Sequence, residues 1–351
     1  MKRADEVPSR APEPPVRAEI PDEEVPEERT WLRRLAGSNV WIFLILGGIC
    51  LVFAVLSFDS FASSTNLRNI AVDAAVLLVL AVGSTYVIIT AGIDLSVGSV
   101  LVFSGVVSAK LMEAVGGEST GVILLGLGAA LGSGLAWGLF NGIIIAKLKV
   151  PPLIVTLGSF GAALGFAQLI TDGVDVREVP FPLVESVGTG RLFGEIPYLV
   201  VIAGAVALVF GVVLALTRFG RHTYAVGSNE EAARRAGINV DRHLIKVYAL
   251  AGTLAGLAGF MSLARFATTT IGGHSTDNLQ AIAAVVIGGT SLFGGIGSVL
   301  GTVAGVFIPA VLENGFVILG VQPFWQEVAV GAVLILAVYL DQLRRRARYR
   351  E

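Results

Sequence analysis

Apolar runs of about 20 residues recur along almost the whole chain, and this feature limits its possible folds most strongly. A run of that length spans the hydrocarbon core of a bilayer as one helix. The runs lie at about 40–58, 70–90, 95–115, 121–146, 153–171, 197–217, 243–265, 279–293, 297–313 and 325–341. Only 15% of the residues are charged, against about 25% in an average soluble domain. The sequence therefore predicts an all-α polytopic membrane protein with about 10 transmembrane helices.

Two pairs of runs, the second with the third and the eighth with the ninth, are separated by only a few residues. We expect broken or re-entrant helices at both places. The later break is rich in glycine, and its glycines are Gly288, Gly289, Gly294, Gly295 and Gly297. Irregular backbone at membrane depth is tolerated only where protein buries it or where it lines a cavity. Both breaks are thus candidates for a transport pathway.

The two ends of the chain differ from its apolar middle. Residues 1–30 hold six of the thirteen prolines and many acidic residues, a composition that cannot bury a core. We expect a disordered tail rich in proline and acid over 1–35, a transmembrane domain over 36–342 and a basic tail over 343–351.

Loop charges predict the topology. Lys147 and Lys149 form a short basic loop, 217–246 carries a net charge of +3 (six basic residues less three acidic), and 341–351 holds five arginines. The segment 172–196 has five acidic residues against two arginines. Because basic loops stay on the cytoplasmic side, both termini are expected there, with 172–196 outside. Ten spans satisfy each of these assignments.

The first break carries the polar residues Thr90, Asp94 and Ser96 beside Gly92. A carboxylate in a membrane interior costs about 2.5–3.5 kcal/mol and usually has a partner or a water-filled site. In one interpretation Asp94 caps the third span by accepting a hydrogen bond from the N–H of Ser96 or Val97. In the other it lines a polar pathway. The two are compatible, because the start of a half-helix can point into a cavity.

The segment 217–246 is too charged to span a bilayer, since nine of its residues are charged. Ser228 followed three residues later by Glu231 is typical of a capping box. Ala232 and Ala233 favour a helix, and Gly237 is suited to end it in the left-handed conformation. We predict a helix of about eight residues, with glutamates in the first turn and arginines in the last, as the helix dipole prefers.

Two roles are open for this short helix. It could lie on lipid headgroups, or it could dock into a cytoplasmic partner. It has no Leu, Phe or Trp to insert into a bilayer, which favours docking.

Several kinds of chemistry have no sequence signal. No G-x-x-x-x-G-K-[ST] motif occurs, so no P-loop is available for ATP. His222, His243 and His274 have no metal-ligand spacing, and the few candidate carboxylates within spans (Asp73, Asp94 and Glu313) are too sparse for an ion-coupled relay. We predict no catalytic residue, no metal site and no bound cofactor. The chain looks like a conduit that is powered by another subunit.

Four segments in order resemble the ribose-type permeases of bacterial ATP-binding-cassette importers. They are ITAGIDLSVGS at 89–99, Asn141-Gly142 followed by PPLIVTLG at 151–158, the stretch from Phe219 to Ile238, and AIAA with IGGTSL between 281 and 292. The resemblance covers about residues 40–342. One departure is Asn278, where that family often has an acidic residue.

The resemblance implies a non-enzymatic permease domain over 36–342 in a bacterial inner membrane. It implies a second permease copy, two cytosolic ATPases that use the ATP, an external sugar-binding protein, surrounding lipid and no nucleic acid. The cargo would be a pentose or hexose such as ribose, xylose or galactose. The short helix of the 217–246 segment would be the coupling helix. Coupling to the ATPase would fall to Gly227, Ser228, Asn229, Glu230, Glu231, Ala232, Ala233 and Gly237. The translocation pathway would fall to Thr90, Gly92, Asp94, Ser96, Asn141, Thr156 and Gln280.

Two alternatives stay open at this point. A permease of the same family could move another small polar solute, such as a nucleoside or an autoinducer-type furanose. An ion-coupled secondary carrier would work without ATPase subunits.

Overall fold

The computed structural model describes residues 40–274 and 276–322, with isolated positions between 325 and 339. Apart from irregular connections and one small hairpin, the described chain is helical. Its helices are α1 (Val40–Leu56), α2 (Phe58–Phe61), α3 (Ser64–Ile89), α4 (Val97–Val115), α5 (Thr120–Leu148), α6 (Pro152–Thr171), α7 (Phe181–Leu183), α8 (Tyr198–Leu216), α9 (Arg218–Ser228), α10 (Glu230–Arg235), α11 (Val240–Phe266), α12 (Asp277–Ile287) and α13 (Val299–Ile318).

The predicted polytopic all-α fold is confirmed. Seven of the described helices are long and apolar enough to cross a membrane, namely α3, α4, α5, α6, α8, α11 and α13. The first predicted run is the 17-residue α1, at the lower limit for a span. The eighth is the 11-residue α12, only about 17 Å long at 1.5 Å per residue. The tenth run falls largely outside the described residues, as do both chain ends.

Helices α3 and α11 form the centre of the bundle. In α3, 83% of the most apolar stretch is buried, and in α11 78%, against 17% in α8. Glycines allow α5 and α11 to cross closely, because a Cβ at Gly134 or Gly138 would collide with the backbone of α11 around Gly252. Such small-residue contacts are a common way for membrane helices to associate. The core is thus built around α3, with α11 across it.

Each predicted helix break is present. Helix α3 ends at Ile89, and the chain stays irregular until α4 begins at Val97. Helix α12 ends at Ile287, and α13 does not begin until Val299. Gly289, Gly294 and Gly295 have φ values of +85°, +84° and +76° there, which side chains with a Cβ rarely adopt. The glycines therefore account for the second break.

The acidic segment 172–196 forms a small cap on one end of the bundle. It contains α7, a single π-type turn at Val184–Gly188, and the strands β1 (Arg191–Leu192) and β2 (Ile196–Pro197). The strands are antiparallel, with Arg191 opposite Pro197.

Candidate functional site

The first break, residues 90–96, is organised by one buried carboxylate. Asp94 is 4% exposed. Its Oδ1 accepts hydrogen bonds from the Ser96 N–H (2.8 Å) and the Ser96 hydroxyl (2.6 Å). Asn141 Nδ2 on α5 donates to Ser96 Oγ (2.9 Å), and Ser159 Oγ on α6 donates to Asn141 Oδ1 (2.5 Å). The chain of bonds therefore joins the first break, α5 and α6. The bond from the Ser96 N–H to Asp94 is present as predicted, but Ser96 and not Asp94 is the N-cap of α4.

The backbone of this break is also held from two sides. Thr156 on α6 donates through Oγ1 to the Ile93 carbonyl at 3.1 Å. Asn278 on α12 donates through Nδ2 to the Leu95 carbonyl at 3.0 Å. Buried carbonyls need such partners. The side chains therefore fix the shape of an irregular segment that lies between two apolar helices.

Gly92 acts through its lack of a side chain and not through a left-handed backbone. The left-handed residue is Ala91, with φ of +60°, and the Gly92 N–H closes the end of α3 by donating to the Val87 carbonyl at 3.0 Å. A Cβ at Gly92 would lie 2.5 Å from the Tyr248 hydroxyl. Gly92 therefore provides clearance against α11. Thr90 donates its hydroxyl back into α3, to Val87 at 2.8 Å.

Gln280 does not lie with the other six predicted pathway residues. It is on α12 and lines a separate cavity together with Asp73 of α3. Gln280 is nevertheless near the break, because Asn278, two residues before it on α12, donates to the Leu95 carbonyl. Two polar sites therefore lie side by side at the start of α12, and we name them the inner site (around Asp94) and the outer cavity (around Gln280).

The two breaks and α9 meet at one backbone junction. The Gly295 N–H donates to the Ile89 carbonyl at 2.9 Å, so the second break is bonded directly to the end of α3. Gly227, in the last turn of α9, lies against both, because a Cβ there would overlap the Ile89 carbonyl and approach the Gly295 nitrogen to 2.8 Å. We name this contact between α9, the end of α3 and the second break the backbone junction.

Tyr224 adds a side-chain bond to the backbone junction. Its hydroxyl donates to the Gly297 carbonyl at 2.7 Å. Burial raises the pKa of Tyr224 above its ordinary value, so the neutral, donating form is favoured. Helix α9 is therefore bonded to the second break as well as packed on it.

The coupling helix is α10, and its N-cap is Asn229. Asn229 Oδ1 accepts the Ala232 N–H at 2.9 Å. The predicted capping box with Ser228 as N-cap is wrong, because α9 runs through Ser228 and leaves Asn229 as the first extended residue. The helix is also shorter than predicted, at six residues. Gly237 ends it at φ of +85° as expected.

The predicted coupling residues divide into an exposed and a packed set. Ser228, Asn229, Glu230, Glu231, Ala232 and Gly237 are exposed. Ala233 is 4% exposed and packs in a small cluster with Val226 and Val240. The exposed set is available to a partner, whereas Ala233 and Gly227 attach the helix to the permease bundle.

Asp241, at the start of α11, was missed by the sequence reasoning although it gathers three cations. Its carboxylate accepts from Lys149 Nζ at 2.9 Å and Arg234 NH2 at 2.5 Å, and Lys147 Nζ lies 3.5 Å away. Arg234 also pairs with Glu230 at 2.8 Å. Hydrogen bonds to Asp241 and Glu230 raise the pKa of Arg234 above its ordinary value. The basic 147–149 loop was the available signal for this Asp241 cluster.

The sequence of the protein matches a known family over most of its length. Residues 66–338 match the family model described as branched-chain amino acid transport system / permease component. This chain belongs to that permease family. The permease is 40% identical over 289 residues to the ribose import permease protein RbsC of Escherichia coli (strain K12), which covers 82% of this chain and 88% of the relative. The resemblance carried by the four motifs is confirmed.

Other relatives of the permease are named for different sugars. It is 34% identical to the fructose import permease protein FrcC of Rhizobium meliloti, with 87% of this chain and 85% of that one covered. It is 33% identical to the galactose/methyl galactoside import permease protein MglC of Escherichia coli (strain K12), with 90% and 97% covered. No solved structure matches the permease.

Proposed function

We propose that this permease is the membrane-spanning subunit of an ATP-driven importer and translocates a monosaccharide, a pentose or a hexose, that an external binding protein delivers. The observation that carries the proposal is its 33–40% identity, over most of both chains, to permeases named for ribose, fructose and galactose import. The chain is then a transport subunit without an ATPase site or cofactor of its own, and ATP is used by its partners.

The geometry supports a coupling mechanism. The exposed face of α10 offers Asn229, Glu230 and Glu231 to a cytosolic ATPase subunit. Movement of α10 carries α9 with it, because α9 runs directly into the cap of α10. Helix α9 touches both helix breaks at the backbone junction, so its displacement shifts the ends of α3 and α13. ATP-driven closure of the ATPases would thereby change access to the inner site, in the manner of rigid-body alternating access.

The inner site is proposed as the cytoplasmic part of the translocation pathway. Thr90, Gly92, Asp94, Ser96, Asn141 and Thr156 contribute to it. Its buried, hydrogen-bonded arrangement corresponds to a sealed state in which the irregular backbone is enclosed in protein. Gln280 belongs to the same pathway through the neighbouring outer cavity.

The surroundings follow from the same proposal. The permease works as two copies in a bacterial inner membrane, in contact with lipid, with both termini and the 217–246 loop in the cytoplasm and 172–196 outside. The tail 1–35, the permease domain 36–342 and the tail 343–351 remain the predicted division of the chain. No nucleic acid is a partner.

Uptake in cells tests the proposal. The permease is co-expressed with the ATPase and binding protein encoded beside it, and uptake of radiolabelled D-ribose, D-galactose, D-fructose and L-leucine is measured. We expect uptake of a sugar that an inactive P-loop lysine variant of the ATPase abolishes and a protonophore leaves intact while ATP is maintained. Leucine uptake without sugar uptake would overturn the substrate class. Uptake that survives the inactive ATPase would assign the chain to secondary transport.

A further inference from the structure

The outer cavity holds charged groups that the coupling and inner-site geometry leave unexplained. It has a volume of about 180 Å³ and lies between α3, α11, α12 and α13. Its polar lining comprises Asp73, Arg265, His274, Asp277, Gln280 and Glu313. Three carboxylates, a guanidinium, an imidazole and an amide thus surround a space with room for several water molecules.

Part of this lining is already paired, and part is free. Arg265 pairs with Asp73, and its Cζ lies 4.8 Å from the centre of the Phe266 ring. His274 Nδ1 lies 2.7 Å from Asp277 Oδ2. Within the described part of the chain, no hydrogen-bond or ion-pair partner contacts the side chains of Gln280 and Glu313. The paired groups hold the wall in place, and the free ones can accept or donate to a ligand.

The location of these charges excludes lipid as the occupant. Asp73 is 48% exposed and lies ten residues inside α3, a helix apolar enough to span a membrane. Charged groups at membrane depth face a water-filled cavity or a partner group and not acyl chains. The cavity therefore faces an aqueous space on the side of the bundle opposite the coupling helix.

The mixture of groups fits a neutral molecule with many hydroxyls. Each hydroxyl both donates and accepts, so it can use carboxylate, amide and guanidinium partners together. The face of Phe266 supplies an apolar contact of the kind that ligand sites combine with a few polar groups. The volume is below the range of about 300–1,000 Å³ typical of drug-sized ligands, which suits a small polyol.

We propose that the outer cavity is a sugar-binding subsite at the external end of the pathway, with Gln280 and Glu313 as the residues that bind the hydroxyls. This inference rests on the proposed function, which places the outer cavity on the external side of the membrane. It assigns sugar recognition to the permease itself, in addition to any external binding protein.

Thiol protection tests the subsite in the full-length protein in nanodiscs. Cys50 is the single cysteine, so Cys50→Ser gives a background without thiols. Leu77→Cys places a probe on the cavity wall without removing a polar group. Leu208→Cys, on α8, is the matched control, since Leu208 is 68% exposed on an apolar helix outside the cavity. A water-soluble, membrane-impermeant thiol reagent is the probe of hydration.

We expect Leu77→Cys to react and Leu208→Cys to stay unmodified. D-ribose, D-galactose, D-allose or D-fructose should slow the modification of Leu77→Cys about tenfold. This slowing is expected when the sugar is present at roughly ten times the dissociation constant of that sugar. Glu313→Gln in the same background should raise the protecting concentration about tenfold, as loss of a hydrogen bond to a charged group does. Gln280→Cys is a second probe if Leu77→Cys does not fold.

Each outcome is decisive. An unreactive Leu77→Cys and Gln280→Cys in folded protein would overturn a hydrated cavity. Reaction that no sugar slows, or that Ca²⁺ slows in place of sugar, would overturn the sugar subsite. Sugar protection without sugar uptake in cells would support the subsite and contradict the proposed transport function. Uptake without protection would leave the function standing and reject the subsite.

Discussion

Gly227 shows how one missing side chain can determine a contact between three elements. It lies in helix α9 with ordinary helical dihedral angles, so alanine is conformationally acceptable there. Glycine is required there for steric reasons alone, because a Cβ would overlap the Ile89 carbonyl. The sequence marked Gly227 as part of the ATPase-facing segment, whereas its contacts point inward to the two helix breaks.

We therefore expect Gly227→Ala to reduce sugar uptake roughly tenfold, within the range of about 0.5–2 kcal/mol found for residues along a coupling route. The added methyl group separates α9 from the end of α3. Uptake in cells and thermal unfolding in detergent are the measurements. Gly128→Ala is the control, since Gly128 also lies in a helix but has nothing within 4 Å. Equal uptake in both variants would contradict the backbone junction as a transmission point.

Asp94 can be tested as the organiser of the inner site. Asp94→Asn keeps an oxygen that accepts from Ser96, whereas Asp94→Ala leaves the Ser96 N–H and hydroxyl without that acceptor. We expect Asp94→Ala to lower the free energy of unfolding by about 1–3 kcal/mol, the usual effect of an unsatisfied buried group. Asp94→Asn should lower it by less than about 1 kcal/mol. Denaturant unfolding in detergent distinguishes them, and similar losses in both variants would show that the charge itself is essential.

At the scale of elements, the Asp241 cluster links the coupling helix to α5 and α6. Arg234 of α10 and Lys149 after α5 bind the same carboxylate. Three residues after Lys149 the chain enters α6 at Pro152, and Thr156 of α6 donates to the Ile93 carbonyl. The coupling helix is therefore linked to the first break in two ways. One link is the backbone junction, and the other is this charge cluster.

Asp241→Asn tests the link through the charge cluster separately from the backbone junction. It leaves three cations close to one another without their shared carboxylate, and we expect uptake to fall about tenfold. The change in unfolding free energy should stay within about 1 kcal/mol, because the cluster lies at the surface. Uptake, ATPase stimulation and thermal unfolding are measured together.

Glu231→Gln is the matched control for Asp241→Asn. It also removes an acidic partner of an arginine, but the Glu231–Arg235 pair is exposed and lies within α10 alone. Asp241→Glu should restore most of the uptake. Should Glu231→Gln impair uptake as strongly as Asp241→Asn, the link to α5 and α6 would be rejected.

The sequence located the features that depend on neighbouring residues and missed those that depend on residues far apart in the chain. The apolar runs, the glycine-rich breaks and the left-handed Gly237 belong to the first kind. The N-cap was assigned to Ser228 because both Ser228 and Asn229 are good caps, and only the extension of α9 by tertiary contacts with α3 decides between them. Gln280 was grouped with Asp94 because spacing along the chain cannot show that Asn278 contacts the first break while Gln280, two residues later on α12, lines a separate cavity. Asp241 gathers partners that are far apart in sequence.

At the scale of the whole molecule, the proposed orientation gives a labelling prediction. In a Cys50→Ser background, Glu178→Cys lies in the acidic segment, and Arg235→Cys lies on the exposed side of the coupling helix. An impermeant thiol reagent should modify Glu178→Cys only in right-side-out vesicles and Arg235→Cys only in inverted ones. This follows from the excess of basic residues in 217–246. The reverse pattern would invert the topology and place the outer cavity in the cytoplasm.

The polar sites also have a common arrangement in the whole bundle. The inner site and the outer cavity lie side by side at the start of α12, where Asn278 donates to the Leu95 carbonyl and Asp277 and Gln280 line the cavity. Asn278 and His274 are buried there, at 6% and 9% exposed. A sugar passing from the cavity to the inner site would need a change in the packing around this start of α12, which is what a motor-driven permease supplies.

The backbone junction is made mainly from main-chain atoms, whereas the face of α10 that a partner would contact is made of side chains. Under the proposed coupling mechanism, substitutions on that face would change which ATPase recognises the permease without altering the contact of Gly227 with Ile89 and Gly295. Recognition and transmission would then be separable. A bacterium with several importers could evolve a dedicated or a shared motor for each by exchanging a few surface residues around 229–237.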